Sequence, residues 1–188
     1  MTEAGALSAG WSGAVLDFWF RELPKDAWFT KSDATDALIR ARFQPLYDAL
    51  ARHIPDEART DPRAALAAII ALDQFPRNMF RGTPKAFASD PLALALAKNA
   101  VASGFDRDMT RDERLFVYLP FEHSEHPEDQ HQCVALYEAL GDPELVRYAQ
   151  AHKDIIDRFG RFPHRNDILD RPSTPEETEF LKGPNSSF

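Results

Sequence analysis

Hydrophobic side chains recur along this chain at intervals of three and four residues, the spacing that places them on one face of an α-helix. One such series predicts a helix over about residues 31–53, with Pro45 as a candidate kink. Its members are Ile39, Phe43, Leu46 and Leu50. A second series places a histidine in the middle of an apolar face, and its members are Leu145, Ala149, His152, Ile156 and Phe159. No segment shows a convincing period of two, so the chain is predicted to be all-α.

Prolines, glycines and capping residues indicate where the helices begin and end. Asp61 and Pro62 open a helix over residues 63–74 that is apolar on every side and is therefore predicted to be central and buried. The other start signals are Ser12, Asp90 with Pro91, Thr110 with Glu113, Pro127, Asp142 with Pro143, and Thr174 with Pro175 and Glu177. The stop signals are Gly104, Gly141 and Gly183, together with Pro120, which is predicted to break or bend its helix.

These signals predict a compact array of about eight or nine helices joined by short loops. No linker or low-complexity segment divides the chain, so we expect one helical domain over residues 1–188, with residues 184–188 as a frayed tail.

Two similar phrases follow apolar stretches and carry polar side chains next to the predicted core. They read Asp73-Gln74-Phe75-Pro76-Arg77-Asn78 and Gly160-Arg161-Phe162-Pro163-His164-Arg165-Asn166. Because proline cannot continue a helix and holds the preceding residue in an extended conformation, each Phe-Pro pair is predicted to be a helix exit. Polar groups beside a core need partners or serve a function, so both phrases are candidate parts of a site.

Composition and charge exclude several classes of protein. A net charge of −8 and a pI near 5.2 oppose a general role in binding nucleic acid or an anionic membrane, since both require a basic surface. The single cysteine, Cys133, has no partner for an internal disulfide, and residues 1–10 lack the pattern of a signal peptide, so a cytoplasmic location is expected. The longest apolar run, residues 64–72, is too short to cross a bilayer, which predicts a soluble protein. Without a Gly-rich phosphate loop or dinucleotide fingerprint, no cofactor is predicted.

Five segments spread over nearly the whole chain form a recognisable set. They are residues 73–78, Phe80-Arg81-Gly82-Thr83-Pro84, Leu119-Pro120-Phe121-Glu122-His123-Ser124-Glu125, His152 with residues 158–166, and Ser173-Thr174-Pro175-Glu176-Glu177. This set resembles the signature of the domain-of-unknown-function family 924. The resemblance implies an array of the tetratricopeptide-like (TPR-like) superfamily with a degenerate helical repeat and no settled activity. Asp170 stands where the family pattern has glycine, and because aspartate tolerates a left-handed turn better than most residues, we expect the turn to be kept.

Arginines and histidines in these segments offer the chemistry of a local anion site, since the planar guanidinium suits a carboxylate or phosphate. The predicted ligand-binding residues are Asp73, Arg77, Asn78, Arg81, Glu122, His123, His152, Arg161, His164, Arg165 and Asn166. The candidates for acid–base catalysis are His164, His123 and Glu122. The alternative is that carboxylates such as Asp73, Glu122 and Glu125 pair with the same arginines in an internal network that holds the C-terminal segment onto the bundle.

Metal binding and covalent catalysis are weaker interpretations. Residues 122–131 are rich in His, Glu and Asp but have no recognised metal spacing, so no metal site is predicted. Ser124 and Cys133 have no evident base, and Cys133 belongs to a predicted core face where thiols are usually inert.

Two functions of different classes remain. The first is a site for a small anionic or polar ligand, which includes an enzyme of unassigned reaction. The second is a TPR-like scaffold that binds a protein or peptide and uses the polar phrases as internal supports.

Overall fold

The computed structural model of the protein describes residues 7–184 and 186. Nine α-helices and no strand occur in these residues, which confirms the all-α prediction. The helices are α1 (Trp11–Asp17), α2 (Asp33–Arg52), α3 (Glu57–Thr60), α4 (Pro62–Met79), α5 (Asp90–Ala102), α6 (Arg111–Glu122), α7 (Pro127–Leu140), α8 (Pro143–Phe159) and α9 (Pro175–Phe180). Within the same ranges, no helix is long and apolar enough to cross a membrane.

The chain divides into two compact units. Unit 1 comprises Met1–Arg81 and Lys85–Pro120, and unit 2 comprises Gly82–Pro84 and Phe121–Phe188. A single domain over residues 1–188 stays a prediction. Most of the predicted frayed tail, residues 184–188, lies outside the described residues.

Helix α4 is the centre of unit 1. All its residues from 64 to 76 are buried, and it contacts α1, α2, α3 and α5. Phe75 on α4 packs against Phe43 of α2, with 4.8 Å between ring centroids, and Trp19 packs against Phe75 at 5.7 Å. The prediction of a central, buried helix from its apolar sides is confirmed.

The first helix begins earlier than its sequence signals predict. Gly10, at φ 76°, is the N-cap of α1, so Ser12 lies inside the helix and does not cap it. The reason is the burial of Trp11, whose indole N–H donates to Glu57. After Asp17 the helix continues as a π-helical turn, Phe18–Glu22, before Pro24.

Pro76 does not end its helix, so the predicted exit at the first Phe-Pro pair is wrong. Proline has no N–H, which leaves the carbonyl oxygen of Leu72 without its usual donor from the next turn. The buried hydroxyl of Ser89 donates to this oxygen at 2.6 Å. Because Ser89 supplies the missing hydrogen bond, α4 continues to Met79 at little cost.

Pro120 likewise does not break α6, which runs on to Glu122. The carbonyl groups at its end are satisfied by the fully buried side chain of Gln130 on α7. Its Nε2 donates to the oxygens of Phe121 at 3.3 Å, Glu122 at 2.7 Å and Ser124 at 2.7 Å. The helix therefore ends at Glu122, where the side chain of Gln130 donates to its last carbonyl oxygens, and not at Pro120.

Apart from Ser12, the helix starts that depend on local caps agree with the sequence prediction. At the start of α6, the side chains of Thr110 and Glu113 each accept a hydrogen bond from the other residue's main-chain N–H. Thr174 and Glu177 form the predicted capping box of α9. Gly141, at φ 75°, ends α7 in the left-handed conformation. One stop differs from its prediction, because α9 ends at Phe180 before Gly183. The four-residue α3 is too short to show a period and was not predicted.

Unit 2 is built on the hairpin of α7 and α8. The two helices contact each other and are joined by Gly141 and Asp142, whose carboxylate caps α8 by accepting from the N–H groups of residues 144 and 145. Helix α8 ends at Phe159, before the second Phe-Pro pair, so that predicted exit is confirmed. Phe162, fully buried, packs with Ile155 and Ile156 and returns the chain to the core.

The role of Ser89 is testable by a double-mutant cycle. Ser89→Ala leaves the Leu72 oxygen buried without its donor and should lower the free energy of unfolding by about 1–3 kcal/mol. In a Pro76→Ala background the restored helical N–H donates to the same oxygen, so Ser89→Ala should cost much less. Urea unfolding of the four proteins measures this coupling.

The matched control is Ser103→Ala, a change at an exposed serine after α5 that should alter stability by less than about 0.5 kcal/mol. An equal cost of Ser89→Ala with and without Pro76 would show that the hydroxyl does not substitute for the missing N–H.

Candidate functional site

In unit 1, Arg77 is held by carboxylates. Its Nη1 donates to Asp90 Oδ1 at 2.8 Å and its Nη2 to Asp90 Oδ2 at 3.0 Å, a bidentate arrangement. Nη1 also lies 3.5 Å from Oδ1 of Asp73, one turn earlier on α4. Gln74 donates to the other oxygen of Asp73 at 2.6 Å. Arg77 therefore connects α4 to the first turn of α5.

Asn78 and Arg81 share one carboxylate, that of Asp36 on α2. Asn78 Nδ2 donates to Asp36 Oδ1 at 2.8 Å, and Arg81 donates through Nε to Oδ2 at 2.8 Å and through Nη2 to Oδ1 at 2.9 Å. Burial raises the pKa of Asp36, but the donors from Arg81 and Asn78 outweigh it and the pKa is lowered. The carboxylate is thus stabilised in its charged form.

In unit 2, Arg161 and Asn166 meet at the carboxylate of Glu177. Arg161 donates to it through Nε at 2.7 Å and Nη2 at 2.8 Å, and Nη2 also donates to the carbonyl oxygen of Pro172 at 2.8 Å. Asn166, fully buried, donates to Ser173 Oγ at 3.1 Å and to Glu177 at 3.3 Å. The hydrogen bonds from Arg161 are the main reason that the pKa of Glu177 falls to about 2.

A second ion pair in unit 2 joins Glu125 and Arg171. Arg171 Nη1 donates to Glu125 Oε2 at 2.8 Å and Nη2 to Oε1 at 3.0 Å. Burial raises the pKa of Glu125, yet hydrogen bonds from Arg171 and from the N–H of Phe162 leave it lowered. Asp170, next to Arg171, has φ 52°, so the left-handed turn expected at this aspartate is confirmed.

The remaining predicted residues of unit 2 gather around His152 on α8. Its Nδ1–H donates to the carbonyl oxygen of Tyr148 at 2.9 Å and lies 3.4 Å from Oε1 of Glu122. Because a carbonyl oxygen only accepts, Nδ1 carries the proton, and the lone pair of the neutral ring is on Nε2. His152 is 5% exposed, so the prediction of a histidine buried on an apolar face is confirmed.

His123, His164 and Arg165 lie close enough to His152 to affect its ionisation. Burial is the main cause that lowers the pKa of His152 to about 3, and repulsion from these three side chains acts in the same direction. The hydrogen bond to Tyr148 only partly opposes them. At neutral pH the ring of His152 is uncharged. We call His123, His152, His164 and Arg165 the histidine–arginine cluster.

The ring of Phe162 contacts three of the four members of this cluster. The guanidinium of Arg165 lies 4.6 Å from its centroid, and the rings of His152 and His164 each lie 5.7 Å away. Arg165 Nη2 also donates to the carbonyl oxygen of His123 at 3.0 Å. Arg165 is 7% exposed, whereas His123 and His164 are half-buried and reach solvent.

Cys133 and Ser124, the candidate nucleophiles, occupy structural positions. Cys133 is fully buried with Sγ 4.0 Å from Oε2 of Glu122, and burial raises the pKa of its thiol. The hydroxyl of Ser124 donates to Asp129 at 2.7 Å and accepts from the N–H of His126 at 3.2 Å. Neither group is prepared for nucleophilic attack.

No group of three or more His, Cys, Asp or Glu side chains in the described ranges has the geometry to hold a metal ion. Two shallow surface depressions lie elsewhere. One follows α2 and includes Arg40, Gln44 and Asp48, and the other follows α8 and includes Val146 and Gln150. Neither is lined by a predicted site residue.

Sequence reasoning missed several partners of the predicted residues. Asp36, Asp90, Arg171 and Glu177 complete the ion pairs of the two units. The sequence pattern could have identified Asp36, because this residue lies on the same helical face as Ile39 and the rest of the apolar series. A carboxylate in register with an apolar face has to meet a cation.

The chain is similar to proteins whose role is not known. The family model described as "Bacterial protein of unknown function (DUF924)" matches residues 15–185. A solved structure of a protein of unknown function, ATU0120 from Agrobacterium tumefaciens, is 41% identical in sequence. The similarity covers 93% of this chain and 99% of that one, with a TM-score of 0.88. No curated protein matches the sequence.

The lowered pKa of Glu177 predicts a specific acid sensitivity. Its carboxylate favours folding at pH above the ordinary value of 4.5, and this contribution is lost as the pH falls through the folded value of about 2. The stability of the unchanged protein should therefore decrease more steeply from pH 4.5 to 2 than that of Glu177→Gln, which is less stable at pH 7. Urea unfolding at several pH values measures both slopes.

The control is Glu176→Gln, since the neighbouring Glu176 pairs with Arg158 at the exposed surface. That change should leave the acid slope unaltered. Parallel slopes for the unchanged protein and Glu177→Gln would contradict the pairing.

Proposed function

Because the chain belongs to the DUF924 family of bacterial proteins of unknown function, its role must be argued from its own side chains, and we propose that unit 2 binds a small anionic or polar ligand at the histidine–arginine cluster. The observation that carries the proposal is the convergence of Arg165, His152 and His164 on the ring of Phe162. The net charge of −8 makes such a local concentration of basic side chains unusual for this protein.

The chemistry of the cluster suits a carboxylate or a phosphate. Arg165 offers a guanidinium whose solvent contact is small, so its interaction with an anion is weakly screened. His123 and His164 reach solvent and give the ligand a route to the arginine. Glu122 and Tyr148 fix the ring of His152 behind them. A reaction at this site would use His164, His123 or Glu122 for proton transfer.

The other predicted ligand-binding residues support the fold in this proposal. Arg77 and Arg81 are bidentate to aspartates of unit 1, and Arg161 is bidentate to Glu177 of unit 2. To bind a ligand, a guanidinium paired in this way would have to give up a strong hydrogen-bonded partner. We therefore assign Asp73, Arg77, Asn78, Arg81, Arg161 and Asn166 to the internal ion-pair network.

The second candidate is a TPR-like scaffold that binds a protein or peptide. It is favoured by the α7 and α8 hairpin and by the depression along α8, next to which Tyr148 is 43% exposed. On either proposal the acidic charge disfavours nucleic acid and anionic membrane as partners, and the one free cysteine suits a reducing cytoplasm. No cofactor forms part of the proposal.

The two candidates differ in their response to small anions. Free phosphate at about 100 Kd should stabilise the folded protein by about 2.7 kcal/mol, which raises Tm by about 5–10 °C for a chain of this size. His164→Ala should abolish this rise, because a ligand stabilises only a state it binds. Arg165→Lys should reduce it, since lysine keeps the charge but loses the planar fork. Differential scanning fluorimetry with phosphate and small carboxylates measures these shifts.

The matched control is Arg158→Ala, which removes a nearby exposed arginine that pairs with Glu176. It should leave the phosphate response intact. An unchanged protein that responds to none of these anions would contradict the ligand proposal and leave the scaffold as the better account.

A further inference from the structure

The main chain of Phe162 is bonded on both sides by one ion pair. Its N–H donates to Oε1 of Glu125 at 2.8 Å, and its carbonyl oxygen accepts from Nη2 of Arg171 at 3.1 Å. Since Glu125 and Arg171 are also bidentate to each other, the three residues form a closed ring of hydrogen bonds. The position of Phe162 is therefore set by both partners together.

Arg171 is itself fixed by the loop that carries the cluster. Its Nε donates to Oδ1 of Asn166 at 3.1 Å, and its main-chain N–H donates to the carbonyl oxygen of Asn166 at 2.8 Å. The left-handed turn at Asp170 brings the chain back to allow both bonds. The ion pair thus has four hydrogen-bonded attachments within the loop, unlike an isolated surface pair.

The ring of Phe162 transmits this position to the basic side chains. Arg165, His152 and His164 all pack against it, and a ring displaced along the core would move all three. Glu125 also attracts the guanidinium of Arg165 electrostatically. The hydrogen bonds of the pair hold the main chain of Phe162, so Glu125 and Arg171 are positioning residues.

We infer that the ion pair of Glu125 and Arg171 positions the histidine–arginine cluster by fixing the main chain of Phe162. The consequence for anion binding rests on the proposed function. Both residues lie outside the cluster, and their side chains are 28% and 23% exposed, so the pair is partly shielded from solvent. The geometry of the site is accordingly set by a part of the protein that does not touch the ligand.

A comparison of two carboxylate variants in the full chain tests this inference. Glu125→Gln removes the charge that holds Arg171, whereas the control Asp36→Asn weakens the equally bidentate pair with Arg81 in unit 1, which shares no described contact with the loop. Arg171→Lys is a second variant that keeps the positive charge but loses the fork. The measurements are the ring NMR resonances of His152 and His164 without ligand, and the Kd for inorganic phosphate.

Glu125→Gln and Arg171→Lys should shift both histidine resonances in the ligand-free protein and raise the phosphate Kd about tenfold or more, because small misplacements of binding groups are costly. Asp36→Asn should leave the resonances in place and change the Kd by less than about threefold. Measurement at a temperature where every variant is folded separates positioning from loss of stability.

Equal shifts in Glu125→Gln and Asp36→Asn would overturn the inference, because the loop would then respond to any weakened ion pair. Unmoved resonances with an unchanged Kd in Glu125→Gln and Arg171→Lys would also overturn it while the anion site stands. If the unchanged protein binds no phosphate but the resonances move only in Glu125→Gln and Arg171→Lys, the positioning role is supported and the proposed function fails.

Discussion

A carboxylate removed from water must be paired, and the buried carboxylates of this protein determine where its arginines lie. Asp36 forms an ion pair with Arg81 in unit 1, and Glu177 forms one with Arg161 in unit 2. Arg161 belongs to the second polar phrase, and Arg81 follows shortly after the first. Each pair joins helices or loops within its unit. Arg165 instead packs on the ring of Phe162 and donates to the carbonyl oxygen of His123.

The two similar phrases have different roles because the chain takes a different conformation in each. In the first, the chain stays helical through Pro76, so Arg77 lies on α4 and meets Asp90 of α5. Arg81 follows the end of α4 and meets Asp36 of α2. In the second, Gly160 ends the helix, and the following loop brings His164 and Arg165 near the buried His152. The conformation after the phenylalanine, and not the similarity in sequence, decides what the side chains do.

Features controlled by neighbouring residues were predictable from the sequence. The caps at Thr110 and Thr174 and the stop at Gly141 depend on side chains within three residues, and all are present. Pro76 misled the prediction because its compensating donor, Ser89, is 17 residues away from Leu72. The family resemblance was correct, while its TPR-like relationship stays a prediction.

The candidate site was predictable in composition but not in its pairings. His152 was identified by its place in an apolar series, which the 5% exposure confirms. The partner of Glu125, Arg171, is 46 residues distant, and the partner of Arg81 is 45 residues distant. Residues so far apart show no shared pattern in one sequence, so an anion site and an ion-pair network could not be separated before the fold was known.

The central claim is that the histidine–arginine cluster receives an anion. A crystal structure of the protein grown in phosphate tests it most directly. The account predicts a phosphate oxygen within about 3 Å of the Arg165 guanidinium, with His164 or His123 donating to the same anion. A cluster without an anion at a saturating phosphate concentration, or phosphate bound only at other surfaces, would contradict it.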